Sequence, residues 1–377
     1  MRVYLDNTAS TPIYPEVIEL MSNVLKENFG NPSSIHHFGR QSKVIIENAR
    51  KQIAGFLNAA PSEIFFTSGG TEANNMAISG AINDLKIENV ITSPIEHHAI
   101  LHTLEHYENQ GKTKVHFVKL DEKGRVIPES LEELLKKFPA SFVTLMHANN
   151  EISNLLPIKE ISKLCREHDA IFHSDMVQSV CHYKIDLQKI DIDMASSSGH
   201  KFHAPKGVGF IYINGKRIKI NPLIIGGGQE RSMRGGTENI AGIAAIAKAF
   251  EIAHKNMEED EKKIRSLKSY MVNKLSEQFA GVEYIGDSMD KGLYTVLSVA
   301  FPENLFDDIL LMNLDVEGVA ASSGSACTSG ALKGSHVINY LKINLNKQVI
   351  RFSFSKFNTF EEIDFCINVL NKLQLKH

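Results

Sequence analysis

Residues 64–85 read Ile-Phe-Phe-Thr-Ser-Gly-Gly-Thr-Glu-Ala-Asn-Asn-Met-Ala-Ile-Ser-Gly-Ala-Ile-Asn-Asp-Leu. The first four are β-branched or aromatic and read as a buried strand, and Ser68-Gly69-Gly70 reads as a turn. From Glu72 to Leu85 apolar residues recur at spacings of three and four, the period of an amphipathic helix. Working outward, Val90 to Ser93, Val115 to Val118, Phe142 to His147, Ala170 to Asp175, Ile192 to Ala195 and Gly207 to Ile213 read as further strands. Helical stretches such as Pro157 to His168 lie between them. That alternation predicts an α/β fold, a parallel sheet covered on both faces. After Gly236 the pattern changes to an Ala-rich helix over Ile240 to Phe250 and a charged one over Met257 to Phe279. Short strands follow at Val296 to Ala300, Gly318 to Ala321 and Ile350 to Phe354, then a last helix over Glu361 to Leu373. We expect a large domain over residues 14–255 and a small α+β domain built from 1–13 and 256–377. The boundary should lie inside a long helix near residue 255.

Composition excludes several classes. At 377 residues the chain is too long for one compact core. Lys and Arg number 41 against 44 Asp and Glu, a net charge of −3 that gives no footprint for nucleic acid or an anionic membrane. No apolar run approaches the roughly 20 residues of a membrane span, and Met1 to Pro12 has no signal-peptide order. The four cysteines (Cys165, Cys181, Cys327, Cys366) form no CxxC pair, which argues against a disulfide framework or a Cys-rich zinc site and fits a reducing, cytoplasmic setting.

Several short stretches carry chemistry. Ser196-Ser197-Ser198-Gly199-His200-Lys201 follows a strand and places Lys201 like a Schiff-base lysine, although a surface lysine in a turn is the commoner meaning of such a stretch. Asp175 ends a strand, where an open α/β sheet binds ligands, and beside a pyridine ring it would hold the ring nitrogen protonated; a helix cap is the bland alternative. Thr67 to Glu72 offers backbone N–H groups and a helix N-terminus to a phosphate, or is simply a helix start. A second glycine-rich stretch, 226–237, decides nothing alone. Cys327 sits in Ser322-Ser323-Gly324-Ser325-Ala326-Cys327-Thr328-Ser329-Gly330, a small polar setting that suits a reactive thiol. His98, His102 and His106 recur every four residues and share a helix face that a metal could use, but a solvated histidine face accounts for them better. His97 stands at the start of that helix, where it could stack on a flat cofactor.

Together these stretches describe a pyridoxal phosphate site. The chain resembles the cysteine desulfurases with a Ser-Ser-Gly-Ser-Ala-Cys-Thr-Ser loop, members of the class V aminotransferase fold family. The likeness runs from Tyr4-Leu5-Asp6-Asn7 through Gly30-Asn31-Pro32-Ser33-Ser34, Phe66 to Glu72, Glu96-His97, Asn149-Asn150-Glu151, Ser198 to Lys201 and Arg234 to Thr237, to Ile350-Arg351-Phe352-Ser353. It implies the aspartate aminotransferase-like fold type I, a large domain with a mostly parallel seven-stranded sheet plus a small α+β domain. Lys201 would carry the cofactor, His97 stack on its ring, and Asp175 pair with its nitrogen. Gln178 and Asn150 would bond the ring oxygen or the substrate. Gly70, Thr71, Ser198 and His200 would grip the phosphate, with Thr237 supplied by the partner of a homodimer. Asn31, Asn150 and Arg351 would receive the carboxylate of L-cysteine. Lys201 would take the Cα proton, alanine would leave, and Cys327 would hold a persulfide for an acceptor, an iron–sulfur scaffold or a tRNA-thiolation enzyme. Cys327 is also where a transient iron–sulfur cluster would sit; no resident metal is expected.

The chain departs from that family at Met176, where an Ala usually lies against the ring face opposite the histidine. Ser153 stands for a usual Gly, and His203-Ala204 for Tyr-Gly. The sequence stops at His377, directly after its last helix, whereas scaffold-serving members often carry a further docking segment; on that expectation tRNA thiolation or another carrier stays open. A class V aminotransferase or selenocysteine lyase on the same fold is the alternative, for which Cys327 discriminates. A non-enzymatic metal-binding or scaffold protein would leave the lysine, aspartate and cysteine stretches unexplained.

Overall fold

The computed structural model describes residues 1–289, 291–323, 335–343 and 347–375. In chain order the strands are β1 (Val3–Tyr4), β2 (Ile64–Thr67), β3 (Asn89–Thr92), β4 (Lys114–Phe117), β5 (Phe142–Thr144), β6 (Ile171–Asp175), β7 (Met194–Ser198), β8 (Gly209–Ile213), β9 (Glu283–Tyr284), β10 (Val296–Phe301), β11 (Val319–Ala320) and β12 (Gln348–Ser353). The helices are α1 (Pro15–Glu27), α2 (His37–Leu57), α3 (Gly70–Ser79), α4 (His98–Asn109), α5 (Pro128–Lys137), α6 (Ile158–Glu167), α7 (Ile240–Gln278), α8 (Leu310–Val316), α9 (His336–Tyr340) and α10 (Phe360–Leu373).

Seven strands form one sheet in the order β2-β8-β7-β6-β5-β3-β4. The pairs from β7 to β4 are parallel, and β8 alone runs against its neighbours. β6, β7 and β8 are buried along almost their whole length, as strands covered on both faces must be. β2 is an edge strand, and a side chain meets its unpaired edge: the Phe66 N–H donates to Glu230 Oε2 at 2.8 Å. Glu230 is itself held by Arg50, through bonds of 2.7 and 2.8 Å, and both side chains are 2% exposed.

Two large apolar cores adjoin the long helix α7. Ala245, Ile246, Ala249 and Phe250, from its first part, pack with Ile46, Ile53, Phe66, Val143 and Phe172. Ile264, Leu267, Met271 and Leu275, from its second, pack with Leu5, Leu297, Phe301, Phe352 and Ile363. The long helix expected near residue 255, with an Ala-rich first part and a charged second part, is α7, one helix of 39 residues. β10 pairs antiparallel with β12 and β9, and β1 pairs parallel with β11, Val3 opposite Val319. The N-terminal segment thus joins the second core. β9 went unread because two residues carry no periodicity. The helix expected to reach Leu85 ends as an α-helix at Ser79 and widens into a π-turn over Gly80–Asp84. Among the described residues no helix is long and apolar enough to cross a membrane.

Candidate active site

The carboxyl ends of β2, β3, β6 and β7 open on one side of the sheet, the crevice where such folds take ligands. Small side chains at Ser196, Ser197 and Ser198 let β7 run buried to its end, and a tight turn over Gly199–Lys201 then presents the lysine. Lys201 Nζ donates to the carbonyls of Thr8 at 2.6 Å and Ala9 at 3.0 Å, so the N-terminal segment crosses beside it. Asp175 ends β6; its Oδ1 accepts the Val177 N–H at 2.9 Å and its Oδ2 the Asn74 side-chain amide at 2.7 Å. The carboxylate is fixed at both oxygens and buried.

His97 caps α4, its Nδ1 accepting the Ala99 N–H at 3.0 Å, which in the neutral ring leaves the proton on Nε2. Burial lowers its pKa against the pull of Asp175, and Lys201, His98 and His102 add to the lowering. Burial, with Lys201 and Lys206, brings His200 down to about 4. Arg351, from β12, is buried; its Nη2 donates to Asp6 Oδ1 at 2.8 Å and its Nη1 to the Asn150 carbonyl at 3.1 Å. Its Nε is buried without a hydrogen-bond partner among the described residues.

One cavity of about 230 Å³ is lined by Gly70, Thr71, His97, Asn150, Asp175, Gln178, Ser198, His200, Lys201 and Arg351, ten of the expected residues. Two others stand elsewhere in the single chain. Asn31 is exposed and lies outside the cavity wall, and its Oδ1 accepts the Ser33 N–H at 2.9 Å in a local turn. Thr237 lines a second cavity with Thr67, Ser68 and Arg234. Cys327 lies outside the described residues. Met176 stands elsewhere than expected. Its side chain is 1% exposed within the first core, and Val177 lines the cavity instead, because successive residues leaving a strand point to opposite sides. Sequence reasoning also missed Thr8, Ala9, Asn74, Met146 and Ala148, which complete the wall. Asn74 carried one signal: it lies four residues after Gly70, on the same face of α3.

The other departures are absorbed locally. Ser153 takes φ 70°, a conformation that favours glycine, and its hydroxyl donates to the Leu293 carbonyl at 2.8 Å. His203 takes φ 68°, with its N–H on Thr11 Oγ1 at 2.8 Å and its ring 4.5 Å from that of Tyr14. The histidine face of α4 does not close into a cage: His98 stacks on His102 at 4.7 Å while His106 bonds Gln110. Among the described residues no group of three or more His, Cys, Asp or Glu is placed to hold a metal ion.

The aminotransferase class-V family model matches residues 3–365, and the chain belongs to that family. It is 42% identical to the cysteine desulfurase IscS of Dictyoglomus turgidum over 375 residues, 98% of this chain and 94% of the relative. Among solved structures, a NifS-like protein superposes with a TM-score of 0.90 at 35% identity, covering 99% of both chains. SspA in complex with cysteine superposes at 0.82 and 31% identity, over 95% of this chain and 100% of that one. The chain is a pyridoxal phosphate-dependent cysteine desulfurase, a sulfurtransferase acting on cysteine.

The cavity fits that cofactor. Gly70 opens α3, whose first N–H groups have no partner within the helix. A Cβ added there would stand 2.6 Å from Val177 Cγ2, so only glycine lets the backbone and Val177 close on the same space. A lysine amine, an acid fixed at both oxygens and a neutral histidine line the same space, the donor set that a phosphorylated pyridine aldehyde needs.

Proposed function

We propose that the cavity joining Lys201, Asp175, His97, Gly70 and Arg351 is the site at which sulfur is taken from L-cysteine and passed to Cys327. The gathering of these five, drawn from distant stretches of chain, is the observation that carries the reading. Gly70, Thr71, Ser198 and His200 hold the phosphate, Asp175 the ring nitrogen and His97 the ring face, with Asn150 and Gln178 at the ring oxygen or the substrate. When bound, the cofactor supplies an electron sink for charge left at Cα. Arg351 receives the substrate carboxylate through a guanidinium already oriented by Asp6 and Asn150. Lys201, displaced from the cofactor, takes the Cα proton on Nζ as a neutral amine. The Cys327 thiolate attacks the substrate sulfur. An S–S bond forms and the Cβ–S bond breaks, its electron pair staying on the carbon skeleton. The skeleton takes up one proton at Cβ, recovers the Cα proton from Lys201 Nζ and leaves as alanine, and Cys327 is left as a persulfide.

The persulfide passes to an acceptor protein, an iron–sulfur scaffold or a tRNA-thiolation enzyme. The working unit is a homodimer in which Thr237 reaches the partner's phosphate site; Leu25, Phe29, Ile35 and Phe38 are exposed apolar residues that a second copy would cover. We read the chain as a large domain over 14–255 and a small one over 1–13 and 256–377, since buried residues of α7 leave the first core at Ala253 and enter the second at Ile264. The buried, free thiols of Cys165, Cys181 and Cys366 suit a reducing cytoplasm. The test is incubation of the purified protein with L-cysteine and a reductant. Alanine in excess of enzyme, lost in Cys327→Ser with cofactor retained, is the expected result. Alanine release undiminished in Cys327→Ser would overturn the assignment.

A further inference from the structure

Two described residues flank the segment that carries Cys327: Ser322, five positions before it, and Ser335, eight after. Each is tied to a neighbour of the substrate site. Ser322 exchanges backbone bonds with Arg351, at 3.2 and 2.6 Å. Ser335 Oγ donates to Glu151 Oε2, the residue following Asn150, while accepting the N–H groups of Val337 and Ile338 as the cap of α9. The next residue, His336, bonds through Nε2 to the carbonyl of Glu96, the residue before His97, at 2.9 Å.

Glu151 has no part in the cavity wall, yet it is 2% exposed, and a carboxyl taken out of water costs stability unless something in the fold uses it. Its surroundings fix it closely. Its N–H donates to Asn149 Oδ1 at 2.8 Å, and the Asn149 amide in turn donates to the Ile95 carbonyl at 3.1 Å. The turn 149–151 is therefore bound to the turn that presents His97. Glu151 is the point at which this frame grips the chain emerging from the cysteine-bearing segment.

We infer that Glu151 and Ser335 are positioning residues for sulfur abstraction, their hydrogen bond setting where the segment carrying Cys327 ends relative to Asn150 and Arg351. The inference rests on the reading of Cys327 as the sulfur acceptor. Neither residue touches the cofactor cavity, so substrate entry and abstraction should separate when the bond is cut.

The experiment uses cofactor-loaded full-length protein and two readouts: the cysteine-induced change in cofactor absorbance, and single-turnover alanine release. Ser335→Gly removes the hydroxyl while keeping a tolerated helix cap, and Glu151→Ala removes the acceptor. Each should slow alanine release at least about tenfold, the effect of losing one buried hydrogen bond to a carboxyl, with the absorbance change and KM within about twofold of the parent. The double variant should be no slower than the worse single one. Ser335→Thr and Glu151→Gln, which keep the bond, should restore the rate. The inference is overturned if the single variants turn over at the parental rate, if absorbance change and rate fall together, or if the two losses multiply. Alanine release that survives Cys327→Ser sinks the underlying reading, and the inference with it.

Discussion

Replacing Arg351 with lysine should raise KM for L-cysteine far more than it lowers kcat. The guanidinium offers five donors, of which the structure commits one to Asp6 Oδ1 and one to the Asn150 carbonyl. Three have no partner among the described residues, the buried Nε included. A lysine ammonium has three donors and no planar fork; if two keep the contacts to Asp6 and Asn150, one is left and the paired approach to a carboxylate is gone. The loss is at least one charge-assisted hydrogen bond, about 1.5–3 kcal/mol. At about 1.4 kcal/mol per decade this is a roughly 10- to 150-fold fall in kcat/KM. The retained charge still faces Asp6, so the fold should tolerate the change. Initial rates of alanine release across cysteine concentrations measure the effect, with cofactor absorbance confirming equal loading. Asp6→Asn, which weakens the anchor and leaves the guanidinium, should give a smaller rise in KM. A kcat/KM within about threefold of the parent, at full loading, would show that the carboxylate is read elsewhere.

Gly70→Ala places a Cβ 2.6 Å from Val177 Cγ2. Crowding of this kind costs about 1–3 kcal/mol, so titration of the apoprotein should show cofactor affinity reduced roughly 5- to 150-fold, partly recovered by adding Val177→Ala. An unchanged affinity would mean that α3 does not cradle the phosphate. Glu230→Ala leaves the Arg50 charge buried and the Phe66 N–H without its acceptor. Urea denaturation should show a loss of about 3–5 kcal/mol, eased by the remaining contact from Arg50 to Glu47; a loss under about 1 kcal/mol would refute the account. Burial lowers the pKa of His147 from 6.5 to about 4. The unfolded chain therefore takes up more protons between these values. This contribution to stability is complete above pH 6.5 and is lost as pH falls toward 4. His147→Gln should flatten stability against pH in that window by up to about 1.4 kcal/mol per pH unit, and an unaltered slope would contradict it.

The parts of the site that were legible in the sequence are those formed within one short stretch. Ser198 to Lys201 and Phe66 to Glu72 each hold strand, turn and candidate group together, so they could be singled out without knowing what faced them, although each alone left a bland reading open. Asn74 is different: its role exists only because Asp175, 101 positions away, points at it. Thr8 and Ala9 were passed over because backbone carbonyls have no signature, although they hold Lys201. Met176 and Val177 were exchanged because the direction of a side chain leaving β6 depends on register, and a shift of one residue sends it to the other side. Asn31 came from resemblance alone, and no local physics tied it to the cavity. The fold was legible to the level of layers and sheet type, since alternation of periods is a local property. The order of strands depends on contacts between remote segments.

Residues 3–8 meet partners made more than 300 positions later. Asp6 orients Arg351, Asn7 bonds Ser353 and Asn358, and β1 lies against β11. A ribosome adding 5–20 residues per second takes roughly 17–70 s to pass from Asp6 to Arg351. β1 has no strand to pair with until β11, 316 positions on, has been made. A chain that stops short of β11 already contains all seven strands of the large sheet and the turn at Gly70, yet it lacks Cys327 and Arg351, the proposed sulfur acceptor and carboxylate grip. On that reading, sulfur release is withheld until the arginine has been made and has met Asp6.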